Sequence, residues 1–139
     1  MSTSLDSLER ELQQLAAFES RDPFIRSRLK GWQGTMLIEV TTAEGQVVPF
    51  SLVYDDHGQV TVERGKRDER ECAVILTTSP EVLCGLLREE IGQRAAYDSG
   101  QLRIKKGSLV DLVRLRSMFT RYSKAQRQGR LAITKVEDR

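Results

Sequence analysis

The sequence predicts a mixed α+β domain, and three observations predict it. Between residues 35 and 63, three short runs of alternating apolar residues follow one another through hairpin-type turns. Residues 72–77, CAVILT, form a continuous apolar run of the kind a strand buried on both faces requires. Near both ends of the chain, apolar residues recur at helical spacing behind a capping residue. At 139 residues the chain fits one domain and can bury a core without disulfides or metal.

Residues 4–19 read as an amphipathic helix capped by Ser4 or Thr3, with Leu5, Leu8, Leu12, Leu15 and Phe18 on one stripe. That stripe suits packing on its own domain or on a second copy. Its acidic polar face argues against a lipid-surface anchor. Asp22-Pro23 starts a second short helix with Phe24, Ile25 and Leu29 on its apolar face and Gly31 as its expected end. Trp32 follows as a core residue or a lid over the core.

Residues 35–42 place Met36, Ile38 and Val40 on one face, and Ala43-Glu44-Gly45 turns the chain. Residues 47–54 place Val48, Phe50, Leu52 and Tyr54 together, although Pro49 demands an edge or a bulge there. Asp55-Asp56-His57-Gly58 is a loop with glycine at the left-handed position, and residues 59–63 form the third run with Val60 and Val62 on one face. Residues 64–71, RGKRDERE, make a solvated connection before the buried strand. Ser79 and Pro80 then cap a helix with Val82, Leu83, Leu86 and Leu87 inward. Residues 88–96 lead out of that helix to a Ser99-Gly100 turn.

Leu102 and Ile104 alternate with Arg103 and Lys105 as a short strand that Lys106-Gly107 ends. Ser108 caps the last helix, whose apolar positions are Leu109, Leu112, Val113, Leu115, Met118 and Phe119. The chain from residue 123 is basic and weakly patterned, and Leu131, Ala132, Ile133 and Val136 suit either a short strand or loose chain.

Charge and motifs exclude more than they assign. The net charge is +2, but residues 112–139 hold eight Lys/Arg and two acids, a local +6, which leaves −4 on the first 111 residues. Arg114, Arg116, Arg121, Lys124, Arg127 and Arg130 run without an intervening acid, as a solvated face or as a contact for anionic lipid or nucleic acid. With few aromatics nearby, no base-stacking platform supports specific nucleic-acid binding. Cys72 and Cys84 read as reduced, buried small hydrophobes, and a single histidine, His57, forbids a zinc-type Cys/His set. No phosphate loop, nucleophile elbow or H-E-x-x-H motif occurs, and Glu89-Glu90 reads as a solvated helix end. No metal, cofactor or enzyme activity is therefore expected. The polar start lacks a secretory leader pattern, and no apolar run suits a membrane span, so the cytoplasm is the expected compartment.

Three segments carry a resemblance: FSLVYDDHGQVTVERG, ECAVILTTSPEVLCGLL and AAYDSGQLRIKKGSLVDLVRL. Together they resemble the sterol-carrier-protein (type 2, nonspecific lipid-transfer) domain family over residues 24–119. The chain departs from that family at Phe50, where tryptophan is frequent, at residues 88–94, where a Gly-Lys segment is usual, and at Gly107-Ser108 in place of Gly-Asp. VEDR at the C-terminus is no peroxisomal address.

The resemblance implies a five-stranded, mostly antiparallel sheet covered on one face by helices. With the two ends read above, the chain is expected to divide into residues 1–20, an N-terminal amphipathic helix, 21–122, the lipid-binding domain that the resemblance implies, and 123–139, a basic tail. The resemblance further implies an apolar tunnel between sheet and helices for a fatty acid, acyl-CoA, sterol or other lipid. Its lining would be Met36, Ile38, Val40, Phe50, Leu52, Leu83, Leu86, Leu87, Ile104, Leu112, Leu115 and Phe119. The alternative is a non-catalytic interaction or oligomerisation module with the same residues in a closed core. The further partners expected are a second copy through residues 4–19 and an anionic membrane at the basic tail.

Overall fold

The computed structural model describes residues 4–29, 33–65 and 68–129, with only the backbone at residues 28, 29, 109, 112 and 115. Two helices, α1 (Leu5–Arg21) and α2 (Pro23–Leu29), precede the strands β1 (Gly34–Thr41), β2 (Val47–Tyr54), β3 (Val60–Arg64) and β4 (Cys72–Thr78). Helices α3 (Pro80–Leu87) and α4 (Gln93–Ser99), strand β5 (Arg103–Lys106) and helix α5 (Leu109–Arg127) complete the chain. Gly31, Trp32, Arg130, Leu131, Ala132, Ile133 and Val136 lie outside the described residues, so the expectations placed on them have no counterpart here.

The five strands form one sheet in the order β3-β2-β1-β4-β5. Only the central β1–β4 pair is parallel; the others are antiparallel. Two glycines make the meander possible. Gly45 (φ 84) and Gly58 (φ 80) take the left-handed conformation their turns need, which costs a residue with a Cβ more. The Asp55 carboxylate accepts from the backbone N–H groups of His57 and Gln59, and these bonds hold its pKa below the ordinary value.

Pro49 sits in β2 without breaking it. Its carbonyl accepts from Gly65 N–H, just beyond the last β3 residue, so its missing donor falls where β3 has ended. The local edge that proline requires is thus supplied by a short neighbour.

Met36, Ile38, Val40, Phe50 and Leu52 share one apolar core with Leu8, Leu12 and Leu15 of α1, Leu83 and Leu87 of α3, and Phe119 and Tyr122 of α5. Helices therefore cover this face of the sheet. The three α1 leucines have no exposed surface, and burying each contributes roughly 1.5–3 kcal/mol. The stripe is satisfied within the chain. A homodimer through residues 4–19 would have to use the other face, which presents Asp6, Arg10, Gln13 and Gln14. On the sheet's opposite face, Leu37, Cys72 and Ile75 form a second, small buried cluster, as the continuous apolar run through β4 requires.

Three elements differ from expectation. Residues 93–99, expected as a connector, form α4. Its one buried residue is Ala96, too little to produce a periodic signal, and the Ser99-Gly100 turn is the helix's left-handed cap at Gly100 (φ 82). The strand after it begins at Arg103; Leu102 is buried but gives its N–H to the Ala96 carbonyl. Helix α5 continues through Arg127, because Tyr122, Ser123 and Ala125 still face the core beyond the basic residues that disguise the pattern.

Candidate functional site

Helix α5 is the wall shared by two clefts, and its start is firmly fixed. The Ser108 hydroxyl accepts from Asp111 N–H at 3.4 Å while Asp111 Oδ2 accepts from Ser108 N–H at 2.9 Å, a reciprocal capping box.

The first cleft, about 210 Å³, opens between α2 and the N-terminal half of α5. Ile25 and Met118 are buried at its floor, while Phe24, Val110 and Val113 stand at its rim with Arg114 and Ser117. Val110 is 66% exposed and Val113 64%. Three of the five exposed large apolar residues in the described chain thus converge on this cleft. Scattered apolar exposure is ordinary, but a contiguous apolar rim around an apolar floor marks a contact site.

The base of this cleft is pinned by charge. The side chain of Asp22 is buried, accepts from Ile25 N–H as the cap of α2, and receives two hydrogen bonds from the Arg121 guanidinium at 2.9 and 2.8 Å. Arg121 also lies over the Phe24 ring at 4.7 Å. One residue of α5 therefore fixes both the cap and the rim of α2.

The second cleft, about 170 Å³, lies on the other flank of α5 against α4 and the segment joining α3 to α4. Leu86 and Phe119 supply buried apolar surface, Ile91 and Ala95 extend it, and Glu89, Gln93, Arg94, Arg116 and Thr120 supply polar groups.

The expected lining divides accordingly. Met36, Ile38, Val40, Phe50, Leu52, Leu83 and Leu87 are brought together, but in the packed core, and Ile104 packs against its margin half-buried. Leu86 and Phe119 reach the second cleft. The side chains of Leu112 and Leu115 lie outside the described residues. Among the described residues, neither of these two clefts touches the sheet face. Sequence reasoning did not assign Phe24, Ile25, Val110, Val113 or Met118 to a site. A signal existed: the apolar positions of α5 exceed what one core-facing stripe holds, and the surplus falls at Val110 and Val113.

Other titratable groups are structural. Two hydrogen bonds tie Arg88 to the buried Glu11, at 3.2 and 3.1 Å, and raise the guanidinium pKa. Lys105 pairs with Glu39 at 2.9 Å across the sheet's other face and is likewise raised. His57 is exposed in its turn beside Asp56. Among the described residues no helix is long and apolar enough to cross a membrane.

Residues 12–120 match the SCP-2 sterol transfer family. No curated protein matches the sequence. Solved structures share the fold at low identity. Apo sterol carrier protein 2 from Yarrowia lipolytica superposes with a TM-score of 0.63 at 13% identity, covering 84% of this chain and 90% of that one. A ubiquinone synthesis protein, UbiJ-SCP2, gives 0.62 at 20% identity, covering 83% and 95%. Palmitated SCP2L2 from Aedes aegypti gives 0.61 at 16% identity, covering 86% and 95%.

Proposed function

The chain belongs to the SCP-2 sterol transfer family, and from that membership we propose that it binds and carries a lipid whose acyl chain or sterol-like body enters beside α5. The observation that carries this reading is the apolar rim of Phe24, Val110 and Val113 over the floor of Ile25 and Met118. A cleft of about 210 Å³ is smaller than the roughly 300–1,000 Å³ of a typical ligand site. The ligand therefore extends inward as the first half of α5 lifts from the sheet. That movement opens part of the expected lining, with Met36, Ile38 and Leu52 beneath and Phe119 beside them. Each methylene removed from water contributes about 0.8 kcal/mol, so a long chain can offset the cost of parting the helix from its floor. No catalytic group takes part.

The test is displacement of a fluorescent fatty acid by unlabelled lipid. Saturable binding that Val113→Trp blocks supports the proposal; flat titrations across fatty acids, acyl-CoA and sterols contradict it. Contact of the basic tail, residues 123–139, with an anionic membrane, in the cytoplasm, belongs to the same reading. The closed packing of the sheet face favours a second reading, a non-catalytic interaction module whose docking surface is the same rim. A self-association lost in Val110→Asp, together with absent lipid binding, would favour it.

A further inference from the structure

The cleft between α4 and α5 has features that an acyl chain does not require. Four arginines of α5 are described, and three are engaged: Arg114 with Asp111, Arg121 with Asp22 and Arg127 with Glu89. Arg116, at the mouth of the second cleft, has no ion-pair partner among the described residues. The other charged groups there cancel. Arg94 pairs with Asp98 at 3.1 Å, and the Glu89 carboxylate accepts from Arg127 at 3.1 Å. Three guanidiniums against two carboxylates leave one uncompensated positive charge, carried by Arg116.

A second group in the same cleft is also unspent. The side-chain oxygen of Gln93 is buried and has no hydrogen-bond partner. A buried polar atom left unpaired is costly, and in a native fold it signals a ligand or a solvent molecule that completes it. The surrounding backbone is built to hold the cleft's shape. Glu89 alone among the described non-glycine residues takes a positive φ, 57°, and this turn brings Ile91 back over Gly85. It is the left-handed C-terminal cap of α3, in which Glu90 N–H bonds to the Gly85 carbonyl and Glu89 N–H to that of Leu86.

We propose that the α4–α5 cleft is a second ligand site, separate from the lipid cleft, for a small monoanion with an apolar ring or short chain and a hydroxyl group. The anion pairs with Arg116, the hydroxyl completes Gln93, and the apolar body rests on Leu86, Ile91 and Phe119. Size limits the body. The cleft of about 170 Å³ is close to a cavity of about 150 Å³ that holds one benzene, so a single ring fits and a long chain does not.

Three probes separate the two polar contacts: para-hydroxyphenylacetate, phenylacetate without the hydroxyl, and tyrosol without the charge. By calorimetric titration, para-hydroxyphenylacetate should bind about tenfold more tightly than either analogue. Arg116→Gln should abolish its advantage over tyrosol alone, and Gln93→Leu its advantage over phenylacetate alone. Methyl NMR shifts should fall on Ile91 and Ala95. Equal or absent binding of the three probes would overturn the proposal, as would charge discrimination that survives Arg116→Gln, or shifts at Val110 and Val113.

Discussion

The carboxyl of Glu19 in α1 is wholly buried and accepts a hydrogen bond from the Tyr54 hydroxyl at the end of β2, at 3.1 Å. Burial pushes the Glu19 pKa from 4.5 up to about 8, with the tyrosine bond opposing the shift. The same burial, with the neighbouring carboxyl, pushes the Tyr54 phenol well above its usual value. At neutral pH the pair is held as an uncharged carboxylic acid and an uncharged phenol.

This arrangement fixes a pH dependence of stability. Below pH 4.5 folded and unfolded chains both hold the Glu19 proton, and the burial contributes in full. Between 4.5 and about 8 only the unfolded chain ionises, so stability falls as pH rises, by at most about 1.4 kcal/mol per pH unit. Above the folded pKa this group adds no further slope. Glu19→Gln keeps a bond to Tyr54 and removes the titration. Urea denaturation should find the variant close to wild type near pH 5 and more stable than wild type near pH 9. Parallel profiles for the two proteins would contradict this.

The Asp22–Arg121 latch yields a second prediction. Arg121→Gln removes both guanidinium bonds from the buried Asp22 carboxylate and takes the cation from over the Phe24 ring. Arg121 is one-third exposed, so solvent screens part of the loss, and about 1–2 kcal/mol of destabilisation is expected by chemical denaturation. Amide exchange in α2 should accelerate more than in β1, because the latch holds α2 to α5 and β1 is pinned by strands on both sides. Unchanged exchange in α2 would show that the latch does not hold the cleft.

Gly85 supplies a third. A Cβ there would lie 2.5 Å from Ile91 Cδ1, and Gly85 O accepts from both Glu90 N–H and Ile91 N–H. Gly85→Ala should cost about 1–3 kcal/mol by forcing Ile91 outward, despite the better helix propensity of alanine. Trimming the neighbour in the double variant with Ile91→Ala should recover part of that loss. Thermal melts of the two variants check both statements.

The same details show what the chain reveals before it folds. Ser108, Ser79 and Pro80 announced their helices because capping is local chemistry, and each stands where expected. The run at Cys72 announced a strand buried on both faces because Val74 and Leu76 face one core while Cys72 and Ile75 face the other. Helix α4 was hidden because a seven-residue helix with one buried alanine carries no period. Periodicity gave the direction of Met36, Ile38 and Leu52 toward the helices, yet direction does not say how full the space is. The clefts lie instead where α5 meets α2 and α4, at Val113 and Arg116, residues whose spacing matches any helix surface.

The most direct measurement of the central claim is isotope-filtered NMR of the protein with palmitate, reading contacts between the acyl chain and side-chain methyls. Lipid seated beside and beneath α5 predicts contacts first to Ile25, Val113 and Met118 and then to Met36 and Leu52, all saturating together. A titration that reaches excess palmitate with none of these contacts, while the core methyls keep their positions, would contradict the account.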